Sequence, residues 1–501
     1  MAMDEALRIY TEQRSKIKAL GYVGFLTDWD MQTEAPRGSM ETEAKQQAVL
    51  AELEYRLRSD SAYTQAVNTL YEGRAALDPT LAHEIEIQKK DLDELQKIPM
   101  EEYTAYQELT YTSYPVYVEA KNTNQFSLFA PYLEKILAYQ RKLVDWLGTD
   151  TRRGYDVLLD KYEEGMTTEE YDRFFAMLRE QLVPFVKKVT AKKLELDRGF
   201  ASQTYDAARQ KQFCEYLQDV MKFDKSCGVL KESEHPFTSG FGSRDVRITV
   251  HYYPENFVSS IFSVIHETGH GLYEQQCDPA LDETFSGGGA SMGLHESQSR
   301  FYENMIGRSR AFWQVHYAKL QETFPEQLKN VPLESFVKYI NTAECSFVRT
   351  EADELTYPLH IMLRYDMEQA FMRGELEVKD FPAHWNQLFE EYFGMVPPTD
   401  TLGVLQDVHW AYGNVGYFPT YALGSAYAAQ IAHAMSRDFD IAESLQDGTT
   451  ARINEWLREH IHRYGSSRPP REILRQAVGE DFNPQYYVDY LIEKYSRIYD
   501  L

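Results

Sequence analysis

The chain has 501 residues, 43% of them hydrophobic, and a formal net charge of −26. It is long enough for one large domain or two or three ordinary ones, with a substantial core. The charge repels polyphosphates and anionic bilayers, which argues against nucleic acid or membrane surfaces as main partners.

No run of about 18 apolar residues occurs, and the start, Met1 to Glu5, lacks the basic and apolar regions of a signal peptide. A cytoplasmic location is the expectation. The four cysteines, Cys214, Cys227, Cys277 and Cys345, contain no CxxC pair and read as free thiols.

In chain order, Asp28, Trp29 and Asp30 read as a turn region ahead of strongly charged helices. Glu41 to Arg58, Tyr132 to Leu147, Thr168 to Leu196 and Phe371 to Phe393 carry apolar residues at helical spacing among Leu, Ala, Glu, Lys and Gln. The 36 tyrosines and 26 phenylalanines supply bulk between such helices. One stretch breaks the pattern: from Arg244 to Tyr253, Val246, Ile248, Val250 and Tyr252 alternate with Asp245, Arg247, Thr249 and His251. That is strand periodicity, and a free edge there would let an extended peptide pair with it. Pro254 and Asn256 end the strand and lead into a helix bearing His266. Gly287 to Gly289 and Ser291 precede a second helix, Met292 to Arg308, bearing Glu296. No repeat, low-complexity tract or Ser/Gly-rich linker appears, so the reading is one domain over residues 1–501, with residues 1–120 a lid or groove wall.

The segment His266-Glu267-Thr268-Gly269-His270 carries the chemistry. Histidines at i and i+4 share a helix face and converge on one cation, with Glu267 beside them. Glu296 supplies a third ligand and leaves an open position. The set suits Zn2+, with Co2+ or Mn2+ as possible substitutes. Zinc with three protein ligands lowers the pKa of its water toward roughly 7.

Several further segments carry a family resemblance. They are His235-Pro236-Phe237; Asp245 to Thr249; His266 to His270; His295 to Gln298; Val348 to Asp353; and Gly403 to Trp410. With Asp28 to Thr33 and Gly416 to Tyr421 they extend over nearly the whole chain. In these the chain resembles the M32 family of zinc metallocarboxypeptidases, the bacterial thermostable carboxypeptidase group, departing from it at Val348, where the family usually has Ile or Asn. The resemblance implies a mainly α, deeply grooved fold similar to neurolysin and angiotensin-converting enzyme, with a small antiparallel β-sheet beside the active site. It also implies a homodimer that removes single C-terminal residues from peptides. By matching positions, His266, His270 and Glu296 bind zinc and Glu267 is the general base.

An enzyme that reads a chain end needs a cation for the terminal carboxylate. Arg349 is the first choice, because a guanidinium grips a carboxylate with two parallel hydrogen bonds; the competing reading pairs it with Glu351 or Asp353. Arg247, on the strand's polar face, is a second candidate. His409, Tyr417 and Tyr421 are candidate donors to the substrate or its oxyanion. His235 reads as a cleft wall, Asp353 and Asp407 as orienting carboxylates, and His295 as structural. The mechanism expected is attack by activated water, with Glu267 moving the proton. The same chemistry also fits an endo-oligopeptidase or a dipeptidyl carboxypeptidase, and, more remotely, a non-catalytic protein with structural zinc.

Overall fold

The computed structural model describes residues 1–36, 38–192 and 194–501. It is mostly helical, with one three-stranded sheet. The chain groups into two compact units: Met1–Leu95 with Asp197–Val337 and Ile431–Asp481, and Gln96–Leu196 with Lys338–Gln430 and Phe482–Leu501. Among the described residues no helix is long and apolar enough to cross a membrane. All four cysteines are free.

In the first unit the helix Met3–Thr33 lies against Ser61–Glu72. Ala6, Tyr10 and Ile17 meet Tyr63, Ala66, Val67 and Leu70 in a closed core. Asp28 to Asp30 belong to that first helix rather than to a turn: no Gly or Pro interrupts them, and Trp29 is buried against Phe237. The long helix Phe257–Gln276 buries Phe257, Ile261, Val264, Ile265 and Leu272 along its apolar face. At Gly269 it meets the helix Met292–Arg300 backbone to backbone. A Cβ at Gly269 would lie 2.9 Å from the Gln298 carbonyl oxygen and from Ser299 Cα. Only glycine admits that approach, which offsets its poor helix propensity.

The sheet consists of β1 (Gly228–Glu232), β2 (Thr238–Gly240) and β3 (Val246–Val250) in the order β1-β3-β2. It is mixed rather than wholly antiparallel: β2 pairs antiparallel with β3, and β1 pairs parallel with it. Buried Thr249 explains the crossing. Its hydroxyl accepts from Ser233 Oγ at 2.7 Å and from Phe237 N at 2.9 Å, pinning the β1–β2 link across β3. As the central strand, β3 has both edges paired and offers none to a peptide; the outer edges belong to β1 and β2. Which strand is central depends on partners distant in sequence, so alternation could not reveal it.

In the second unit, Met100–Thr123 and Phe126–Leu147 pair through a tight connection at Asn124, which adopts a left-handed conformation. The expected helix from Thr168 becomes Thr168–Met177, a π-helical turn Leu178–Leu182, and Val183–Ala191; Lys193 lies outside the described residues. The stretch from Phe371 is also divided. One helix, Tyr357–Met372, ends just before Gly374, which has φ 77°, and another, Phe381–Phe393, begins with Pro382 in its first turn. Proline tolerates a first turn but not an interior. Tyr357–Met372 is buried almost all round, which marks it as the unit's central helix.

Candidate active site

In the first unit, His266 and His270 stand one turn apart on the helix Phe257–Gln276, and Glu296 projects from Met292–Arg300. Glu296 Oε2 lies 3.7 Å from His266 Nε2 and 3.4 Å from His270 Nε2. All three ligand atoms lie within 4.8 Å of one another. Donors about 2.1 Å from a tetrahedral ion are roughly 3.4 Å apart, so the three fit a metal of zinc's size.

Each ligand has an orienting partner. His266 Nδ1 lies 2.9 Å from Glu303 Oε2, and His270 Nδ1 lies 2.5 Å from His295 Nδ1. His295 Nε2 in turn lies 2.7 Å from Glu274 Oε1. If each histidine donates one proton outward, towards Glu303, His295 and Glu274, both ligand Nε2 lone pairs face inward. Arg300 Nε donates to Glu296 Oε1 at 2.6 Å, leaving Oε2 for an ion. Burial above all holds His270 at about 3, which keeps it neutral. Burial also acts to lower His266, but Glu296, Glu303 and Glu267 leave it raised. Burial would raise Glu296, but Arg300 and His266 hold it well below the carboxylate range.

Glu303 lies on a π-helical turn, Phe301–Gly307, so the expected helix to Arg308 keeps α geometry only to Arg300. The wide turn brings Glu303 to His266, and Arg308 Nη2 donates to its other oxygen at 3.0 Å. The cluster therefore holds four carboxylates, Glu267, Glu274, Glu296 and Glu303, against two guanidiniums, Arg300 and Arg308. With all ionised and the histidines neutral, it has an excess charge of −2, which a divalent cation neutralises.

Glu267 is 7% exposed, and burial raises its pKa. Thr238 of β2 donates to its Oε2 at 2.6 Å, fixing one oxygen and leaving Oε1 to work. A buried, hydrogen-bonded carboxylate beside a cation site is what a general base needs.

The second unit holds a different cluster. Arg349 donates through Nε and Nη2 to Asp407 Oδ1, at 3.0 and 2.9 Å, and through Nη1 to the Tyr357 hydroxyl at 3.1 Å. Arg364 takes the other oxygen, its Nε donating to Asp407 Oδ2 at 2.7 Å. Asp407, not Glu351 or Asp353, is thus Arg349's partner, and the two guanidiniums hold it well below the carboxylate range although burial acts to raise it. In this ion-paired contact two guanidiniums share one carboxylate. Tyr421 lies under Arg349 at 5.0 Å, and His409 Nε2 is 3.5 Å from the Tyr421 hydroxyl. Tyr417 and Tyr421 meet edge to face, with ring centres 5.2 Å apart. Burial lowers His409 to about 4, so it is neutral at physiological pH.

Arg349, His409, Tyr417 and Tyr421 are therefore neighbours in the second unit, as His266, Glu267, His270 and Glu296 are in the first. Arg247 and His235 belong to neither group. Arg247 makes a bidentate pair with Asp245, both bonds 2.7 Å, and lies over Phe25 and Trp29. His235 is exposed on the β1–β2 link. Asp353 orients neither Arg nor His: it accepts from the backbone N–H groups of Glu344, Leu355 and Thr356, shaping a turn. His295, read as structural, links His270 to Glu274. Arg300 and Glu303 were not singled out from the sequence, although their places four and seven residues after Glu296 put them on its face of a helix.

The chain is similar over nearly its whole length to known metallopeptidases. A family model described as carboxypeptidase Taq (M32) metallopeptidase matches residues 9–495. Carboxypeptidase 1 of Bacillus subtilis (strain 168) is 41% identical over 475 residues, 95% of each chain. The crystal structure of an M32 carboxypeptidase from Deinococcus radiodurans R1 superposes with a TM-score of 0.94 at 33% identity, covering 99% of this chain and 100% of that one. The Apo-Mg structure of a Pyrococcus furiosus carboxypeptidase gives 0.94 at 34% identity, covering 98% and 99%. The chain belongs to the carboxypeptidase Taq (M32) metallopeptidase family and is a metallocarboxypeptidase.

Proposed function

We propose that the enzyme releases single C-terminal residues from peptides with broad side-chain tolerance, using zinc held by His266, His270 and Glu296. The observation that carries this reading is the pair of opposite imbalances among the groups in contact, four carboxylates against two guanidiniums around the histidines and two guanidiniums on the single carboxylate Asp407 around Arg349. One suits a divalent cation and the other suits a carboxylate. Co2+ or Mn2+ would be accepted by the same donors. Bound there, zinc supplies a Lewis acid that acidifies water and polarises a carbonyl.

The chain's own groups do the rest. Glu267 Oε1 takes the proton of the attacking water and returns it to the leaving amine nitrogen, while Thr238 keeps Oε2 in place. Arg349 takes the terminal carboxylate, its guanidinium preset by Asp407 and Tyr357. His409, held neutral, and Tyr417 donate to the developing oxyanion, and Tyr421 supports Arg349. Arg247 and His235 contribute to substrate binding away from the reacting bond. We further propose that residues 1–501 act as one catalytic domain with residues 1–120 as its lid or wall, that the enzyme is a cytoplasmic homodimer, and that peptides rather than nucleic acids or membranes are its partners.

Mass spectrometry of products from one peptide and its C-terminal amide, incubated with zinc-loaded enzyme, tests this. Stepwise loss of single residues from the free acid alone is the expected result. Internal cuts or dipeptide loss would overturn the role of Arg349, and cleavage of neither peptide would point to a structural metal.

A further inference from the structure

The segment from Asp407 to Tyr417 carries both His409 and Tyr417, and two carboxylates hold it. Asp407, at its start, sits between Arg349 and Arg364. The other carboxylate, Glu368, takes no part in the mechanism above. It lies one helical turn beyond Arg364 on Tyr357–Met372, so both side chains face the segment.

Glu368 is 2% exposed. Its Oε1 accepts from Trp410 Nε1 at 2.7 Å, and its Oε2 accepts from Gly416 N at 2.8 Å and from the Tyr155 hydroxyl. Trp410 follows His409 directly, and Gly416 directly precedes Tyr417. A single carboxylate therefore fastens the segment beside each of the two donors.

The backbone is built for this contact. Gly416 has φ 91°, and a Cβ there would lie 2.9 Å from the Leu158 carbonyl carbon and oxygen. No L side chain fits that combination. Among the described residues Glu368 has no salt-bridge partner, and burial pushes its pKa up to about 7. A buried carboxylate with no cation in direct contact is costly. An amide or apolar side chain would fill the space at lower cost, yet neither offers two oxygens to three donors.

We propose that Glu368 is a positioning residue, which holds His409 and Tyr417 in catalytic register through the Trp410 indole and the Gly416 amide. This rests on the reading of those two residues as donors to the oxyanion. Glu368→Gln keeps the shape but turns an NH2 group towards donors, so one end of the segment is released. Misplacing a donor by about 1 Å costs on the order of 100-fold. Because the donors act on the transition state, the loss falls on kcat rather than KM.

The test compares full-length, zinc-loaded wild type, E368Q, W410F, H409Q and the E368Q/H409Q double variant for kcat, KM, zinc content and Tm. E368Q is expected to lower kcat about 10- to 100-fold, with KM within about twofold and full zinc content. W410F, which loses one of the three donors, is expected to lower kcat about three- to tenfold. In the H409Q background E368Q is expected to cost much less than it does alone, the signature of a residue acting through another. Wild-type kcat in E368Q, a raised KM with kcat kept, or fully additive losses would overturn the proposal. If E368Q does not fold, unchanged kcat in W410F overturns it alone. Failure of wild type to release single residues would instead sink the functional reading.

Discussion

The two charged clusters of this enzyme are built from the same side-chain types in opposite proportions. Around His266 and His270, four carboxylates outnumber two guanidiniums; around Asp407, two guanidiniums outnumber one carboxylate. Buried charge in either place is expensive unless compensated. On the proposed reading a divalent cation completes the first and the substrate's terminal carboxylate completes the second. The lesson is that the ion pairs near a site are not all stabilising ornament. Where the count does not balance, the remainder describes the missing ligand.

That comparison can be broken most sharply at Glu267. Glu267→Gln is expected to lower kcat by about 10²- to 10⁴-fold while keeping one zinc per chain, measured by product mass spectrometry and elemental analysis. Full turnover in zinc-replete protein would remove Glu267 from the mechanism. Next in size, Arg349→Ala is expected to cut kcat/KM on free-acid peptides about 30- to 1000-fold with zinc content unchanged. A loss of zinc in that variant would show that the two clusters are not separate in function.

Glu303→Gln and His295→Ala should sharpen the other side of the comparison. Each is expected to weaken zinc binding about 10- to 100-fold, read by competition with a chelator. Neither should alter KM once the site is saturated. Stripping zinc from wild type leaves the −2 excess uncompensated, so Tm should fall and recover with added zinc. An apo enzyme as stable as the holo form would contradict the charge count.

The smallest effect concerns pH. His409 has a folded pKa of about 4, below the unfolded value of about 6.5. The folded state favours its neutral form, so its contribution to stability is full above the unfolded value and is lost as pH falls from there towards 4. Relative to His409→Gln, the wild type should lose at most about 2 kcal/mol between pH 7 and pH 5, measured by denaturant unfolding. No step in kcat/KM between pH 5 and 8 should come from this residue.

How much was legible depends on the distance over which each feature is decided. The pairing of His266 with His270 and the position of Glu267 follow from helix periodicity alone, and so were readable. Arg349 and the orienting carboxylate Asp407 are both readable by their chemistry, but their pairing is not: Asp407 lies far along the chain, whereas Glu351 and Asp353 are near in sequence. Spacing alone puts Glu303 on Glu296's face of a helix, but nothing in the local pattern announces the π turn that carries it after Arg300. The strand at Val246 to Val250 was recognised, but its place in the middle of a sheet was set by Thr249 tying down a link that crosses it.

By itself the sequence determined the helical character, the family and the candidate metal-binding set His266, His270 and Glu296 with Glu267 beside it, because these depend on residue types at spacings that one helix or one short motif imposes. Tertiary structure alone decided which partner fixes each ligand, which carboxylate holds Arg349, and how Glu368 fastens the segment bearing His409 and Tyr417. Apart from Arg300, four residues from Glu296, those contacts join residues tens to hundreds of positions apart, and burial, not local propensity, decides which of many possible polar pairs is made.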